Sequence, residues 1–239
     1  MIISTPGIVL HTTPYGETSL IAKVLTRELG LRSYIVKGVR TQAARTKQGL
    51  FQPMTELDMV VYNNTKTDLN YTKELSPRHP ETLTQSSNQA IRHSLLFFMA
   101  EVLYRSLHEA EPLPALYDYV AETLATLQPP LATLPIRFML GVACHLGIEP
   151  LDNYSVAEPL FSLDDGRYVS VQREPMNTLD PEQSQMLHQL LADNCQQPAA
   201  NSQLSTRTAL LNSLIEYYRI HLATFGEFKS HEILHTVLA

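Results

Sequence analysis

Between Lys23 and Lys47 the chain carries seven Lys/Arg residues, Lys23, Arg27, Arg32, Lys37, Arg40, Arg45 and Lys47, against one acid, Glu28. The formal net charge of the whole chain is -6, so this stretch reverses the sign locally. Long cationic side chains on a strand and on the loop leaving it suit a polyanion, because each can pair with a phosphate. Gly38 and Gly49 bracket the loop that holds Arg40, Arg45 and Lys47. Tyr34 lies inside the run and is the candidate aromatic for stacking on a base. The competing reading is a basic face that is simply solvated.

Other chemistry has less support. His231-Glu232-Ile233-Leu234-His235 matches H-E-x-x-H, which on a helix puts two histidines on one side with a glutamate as base. Only four residues follow His235, and no flanking pattern supplies a third ligand. A capped C-terminal helix carrying two histidines is the plainer reading, with a zinc hydrolase as the remote alternative. Cys144 and Cys195 lack C-x-x-C spacing, so no metal site is expected, and Cys144, within an apolar run, reads as a core residue. The phosphate-binding, dinucleotide-binding and serine-hydrolase glycine motifs are missing, so ATP hydrolysis, dinucleotide binding and serine hydrolysis lack support, and no cofactor is expected. Arg137, near the start of an apolar helix, is either a solvated end or a cation beside an apolar pocket that binds an acidic peptide tail.

These residues need elements to hold them. Hydrophobic content of 44% and charged content of 18% describe a globular chain. No apolar run is long enough for a transmembrane helix. The N-terminal stretch has no signal-like pattern, and two cysteines make no disulfide framework, so the cytoplasm is the expected compartment. Five strand-like segments occupy the first 75 or so residues. They are Ile2–Leu10, Ser19–Thr26, Leu31–Val39, Thr55–Val61 and Asp68–Leu75, with turn signals at Pro14–Glu17 and Glu28–Gly30. In the fourth, Leu57, Met59 and Val61 alternate with Glu56 and Asp58; in the fifth, Leu69, Tyr71 and Leu75 are in phase. Five short strands predict a small barrel of the oligonucleotide-binding (OB) type, and an SH3-like barrel of the same size fits too. Ser76–Pro80 reads as a boundary.

Beyond it the apolar period becomes helical over Asn88–Ala110, Ala115–Leu127, Pro135–Leu146, Pro181–Ala192, Thr206–Thr224 and His231–Leu238. Asp165-Gly166 marks a β-hairpin inserted among them. The expected fold is therefore α+β: an N-terminal OB-type barrel domain over 1–78, then a helical domain over 79–239 with a hairpin insertion at about 151–174. Residues 1–80 hold ten basic and six acidic residues, and the remainder holds eight and eighteen, which suggests surfaces with different partners.

Short blocks in fixed order resemble the RecO family of bacterial recombination mediators. They are Gly7-Ile8-Val9-Leu10, Tyr15-Gly16-Glu17 with Ser19, Val24-Leu25-Thr26, Gly30-Leu31, and Val36-Lys37-Gly38-Val39-Arg40 with Gly49-Leu50 and Pro53. Further blocks are Arg137-Phe138 to His145-Leu146-Gly147, Tyr218 to His221-Leu222, and Phe228-Lys229-Ser230. The resemblance implies a non-enzymatic, nucleoid-associated protein of DNA repair and recombination. It implies binding of single- and double-stranded DNA, strand annealing, RecA loading with RecR, and docking of the acidic tail of single-stranded DNA-binding protein on the helical domain, where Arg137 is the candidate contact. Many family members carry a four-cysteine zinc site between helices, but Leu151–Glu174 here contains no cysteine. Packing alone must hold that region. The reading from another class is a protein-interaction scaffold whose basic loop is incidental.

Overall fold

A computed structural model describes residues 1–41, 49–64, 67–79, 89–108, 111–127, 131–170, 177–192 and 204–238. Arg45 and Lys47, and the polar stretch 196–203, lie outside the described residues. The chain forms two compact units, Met1–Thr126 and Leu127–Ala239.

The first unit is built on β1 (Ile2–Tyr15), β2 (Ser19–Thr26), β3 (Gly30–Val36), β4 (Glu56–Tyr62) and β5 (Leu69–Pro77), closed as a barrel in the order β1-β2-β3-β5-β4. That closed five-stranded barrel is of the OB kind. The long β1 serves two neighbours. Its first half pairs with β4, from Ile2↔Tyr62 to Ile8↔Glu56, and its second half with β2, from Gly7↔Thr26 to Tyr15↔Ser19. A bulge between Val9 and His11 supplies the bend that lets one strand turn from one partner to the other. Gly7 sits where both pairings overlap. A Cβ there would come within 2.6 Å of Met59 Sδ and of Val24 Cγ1, so the barrel wall closes over a missing side chain. The interior is filled by Val9, Ala22, Val24, Leu57, Met59 and Val61, all buried.

β1 continues through Pro14 and Tyr15, five residues past its expected end, because β2 pairs with it to the tip of the hairpin. β5 likewise runs through Pro77, into the expected boundary. α1 (Gln89–Ser106) and α2 (Pro114–Ala125) belong to the first compact unit together with the barrel. α1 lies against β1, where the His11 and Tyr104 rings stack at 5.0 Å. α2 begins with Pro114, whose fixed φ and missing N–H suit the first helical turn.

The second unit holds α3 (Leu134–Leu146), a hairpin of β6 (Leu160–Ser162) and β7 (Arg167–Val169), α4 (Pro181–Ala192), α5 (Leu204–His221) and α6 (Ser230–Leu238). Gly147 ends α3 at φ 72°, the left-handed conformation that glycine adopts at low cost. Cys144, expected in the core, is exposed on α3. The hairpin is braced by side chains. Asn153 bridges to Tyr168 in both directions, accepting from its N–H at 2.8 Å and donating to its carbonyl at 3.0 Å. Tyr168 Oη donates to the Ser184 carbonyl at 3.0 Å. Tyr154 stacks on His188 at 4.4 Å, and His188 Nδ1 lies 2.8 Å from Asp152 Oδ1. Among the described residues no group of three His, Cys, Asp or Glu is placed to hold a metal ion, and no helix is long and apolar enough to cross a membrane.

Candidate nucleic-acid interface

The cations singled out from the sequence fall into different surroundings on the barrel. Lys23 pairs in register with His11 and Ser33, and its ammonium lies 5.4 Å from the Tyr104 ring of α1. It therefore faces the helix that covers this side. Lys23 and Arg105, with burial as the larger cause, hold the His11 imidazole below its ordinary pKa. Arg27, just after β2, forms a two-pronged contact with Asp118 of α2, through Nε at 2.7 Å and Nη2 at 2.8 Å. That bond and the opposed charge lower the Asp118 carboxyl and raise the Arg27 guanidinium. Arg32 is half-buried and donates from Nε to the Leu29 carbonyl at 3.2 Å. Lys23 and Arg27 are thus engaged by the helices beside the barrel, whereas Arg32 is fixed by a carbonyl of its own turn.

Tyr34 does not fit the stacking role. It is 1% exposed, its side chain belongs to the barrel core, and burial pushes its phenol up to about 12. The cause is strand phase: Tyr34 is opposite Ala22 and Asn70, both inward and buried. No base can reach its ring.

Lys37 and Arg40 lie past the end of β3 and are exposed. Arg40 is anchored to the β1–β2 turn, its N–H donating to the Thr18 carbonyl at 3.0 Å and its Nη1 to the Gly16 carbonyl at 2.8 Å. Carbonyl acceptors fix its position and leave its charge intact. It lines a groove of about 840 Å³ with His93 and the exposed Phe97. Lys37 Nζ lies 5.0 Å from the ring centroid of Tyr71.

Tyr71 and Tyr62 are residues that sequence reasoning missed. They are register partners across β4 and β5, and each is 45% exposed. Tyr62 was legible, since Leu57, Met59 and Val61 point inward and position 62 falls on the other phase. Tyr71 was not. A bulge between Val60 and Val61 of β4 leaves Lys73 of β5 unmatched, with Val60↔Glu74 on one side and Val61↔Thr72 on the other. The extra residue reverses the phase, so Leu75 packs on the core while Tyr71 points out. Lys37, Tyr62, Tyr71 and Lys73 line one cleft of about 530 Å³, with Ile35 and Leu75 among its apolar walls.

In the second unit Arg137 is half-buried on α3. A recess of about 30 Å³ lies near the start of that helix, and it is Arg207 of α5 that lines it, with Ile136, Leu211 and Leu234. In α6 the His231 ring stacks on Phe228 at 5.6 Å, and the His235 side chain lies outside the described residues.

Two family models match, Recombination protein O N terminal over residues 1–80 and Recombination protein O C terminal over residues 88–231. The chain belongs to the RecO family. It is 30% identical to the DNA repair protein RecO of Porphyromonas gingivalis strain ATCC 33277 over 247 aligned positions, with 99% of each chain covered. Identity to the DNA repair protein RecO of Flavobacterium psychrophilum is 28%, with 100% of each chain covered. For that of Bacteroides fragilis strain YCH46 it is 28%, with 98% of each covered. RecO membership gives the barrel and the helical region after it as one family architecture.

Proposed function

We propose that this RecO-family chain is a non-enzymatic mediator of DNA repair and recombination whose barrel binds single- and double-stranded DNA. The observation that carries the reading is two exposed cations close together in sequence past the end of β3 of a closed OB-type barrel, Lys37 and the carbonyl-anchored Arg40, on a chain that is acidic overall. Cations placed in this way pair with phosphates, release counterions and carry no base preference. Arg45 and Lys47, which follow in the sequence, extend the run of charge. Lys23, Arg27 and Arg32 belong to it to the extent that DNA competes with their contacts within the chain. Annealing follows if one surface screens two strands at once, and such a protein acts on the nucleoid. RecA loading with RecR and docking of the acidic tail of single-stranded DNA-binding protein complete the reading.

Titration of labelled single-stranded DNA at two salt concentrations tests it. Several engaged phosphates give a slope of log affinity against log salt of about -0.7 for each contact. A flat slope, or no binding at low salt, leaves the barrel as a protein-interaction scaffold. For the acidic tail, Arg137→Ala is expected to weaken a tail peptide by about 1.5–3 kcal/mol, the usual worth of a hydrogen bond to a charged group, with DNA binding intact. Unchanged anisotropy would return Arg137 to a purely structural role.

A further inference from the structure

We infer that Tyr62 and Tyr71 form a stacking platform for the bases of an unpaired DNA strand, with Lys37 and Lys73 holding its phosphates. This rests on the reading of the barrel as DNA-binding and names the form of DNA that this part of it takes.

Four observations converge. Both tyrosines are 45% exposed, although an aromatic side chain gains more from burial than almost any other. Both stand on a paired ladder, Tyr62↔Tyr71, so the platform is rigid before a ligand arrives. Lys37 Nζ sits 5.0 Å from the Tyr71 centroid, and Lys73 stands out of register at the bulge, so cations flank the rings. Lys73 Nζ is 3.4 Å from Glu74 Oε1, but both side chains are exposed. An exposed pair of that kind is weak and yields readily to a phosphate. The cleft beside the rings, about 530 Å³, has Ile35 and Leu75 in its walls and accepts a flat apolar body.

The charge selects a polyanion, and the exposed ring faces select one whose bases are free. A duplex keeps its base faces stacked inside the helix and offers only phosphate to this surface. An acidic peptide satisfies the lysines but has no series of π-faces for the tyrosines. The plain alternative is a cross-strand aromatic pair that stabilises the sheet and does nothing else. The two differ in what a mutation changes.

The test uses the full chain and a labelled oligothymidylate of about 16 nucleotides, the upper site size for one such barrel. The double variant Tyr62→Leu/Tyr71→Leu is expected to lose roughly 5- to 150-fold in affinity for each stacked base. Its salt slope stays that of wild type, because stacking releases no counterions. Affinity for a duplex of equal length does not change. Tyr62→Phe/Tyr71→Phe, which keeps the rings, retains wild-type affinity. A leucine variant that binds oligothymidylate like wild type, or that loses duplex binding equally, overturns the platform while wild-type binding upholds the DNA reading. A wild-type chain that binds neither form at low salt overturns the DNA reading, and the platform with it. Should the leucine variant melt early, Tyr71→Trp decides, since the chain has no tryptophan of its own. Its emission changes with oligothymidylate and not with duplex if bases stack there; an unresponsive signal overturns the platform.

Discussion

Lys23 and Lys37 belong to the same barrel, and each ammonium lies near a tyrosine ring, at 5.4 Å from Tyr104 and 5.0 Å from Tyr71. The local contact is the same and the setting is not. Tyr104 is half-buried on α1 and already stacked with His11, while Tyr71 is open to solvent across from Tyr62. On the first side, cation and ring hold a helix to a barrel. On the second, they remain available. A cation–π contact by itself thus says nothing about function; what decides is whether the second face of the ring is taken.

The largest way to sharpen this contrast is to truncate a buried tyrosine and an exposed one. Tyr34→Ala empties the barrel core and should cost about 3–5 kcal/mol of stability, the usual range for truncating a large aromatic. Tyr71→Ala should cost only about 0.2–1 kcal/mol, the usual worth of a cross-strand pair. Urea melts of the two variants check both, and similar losses would break the contrast.

Next in size is the salt slope. Lys37→Ala/Arg40→Ala should flatten it by about 1.4 in magnitude, two contacts at roughly 0.7 each on a single strand. Arg27→Ala should leave it as it is, since Asp118 already occupies that guanidinium. Equal effects would show that DNA displaces Asp118, and would put the helix-facing side inside the interface.

A smaller effect is the titration of His11. Its pKa is lowered by burial, Lys23 and Arg105. The unfolded chain therefore takes up the proton first as pH falls through about 6.5, the ordinary histidine value. His11 contributes stability above that value and loses it on acidification toward its lower folded pKa. In NMR, its imidazole should titrate below about 6.5, the ordinary histidine value, and Lys23→Met should raise it. A His11 that titrates at the ordinary histidine value would mean this side is as open as the rim.

The smallest expected change is none. The hairpin of β6 and β7 is held by Asn153, Tyr168, Tyr154 and His188. EDTA should therefore leave the melting temperature unchanged. A large drop reversed by zinc would reveal a structural metal, because metal binding is then folding free energy.

Much of this was legible in the sequence, for local reasons. β2 lies at Ser19–Thr26 as expected, and the hairpin forms around Asp165-Gly166 with Gly166 at φ 66°. Inward alternation picked out Leu57, Met59 and Val61 because β4 keeps its phase throughout. What failed was non-local. Tyr34 stands in a basic run, yet its direction is set by pairing with Ala22 and Asn70. Tyr71 was misplaced by a bulge that belongs to the pairing of two strands and is written in neither alone. Arg27 meets a carboxylate 91 residues away. Charge can be counted along a chain, but the partner that neutralises it cannot.

The barrel closes through a narrow seam. β3 and β5 run parallel and share only Ser33↔Leu69, Tyr34↔Asn70 and Ile35↔Tyr71, and parallel pairing is slightly weaker per residue than antiparallel. Local opening draws on stretches held by few bonds. The amides of this seam should then be among the first in the barrel to exchange with deuterated solvent, ahead of those joining β1 to β2. Tyr71 sits at the end of that seam and Lys37 just past the end of β3. A strand gripped by both would act as an external clasp, and the protection it lends to those few amides would report binding from inside the wall.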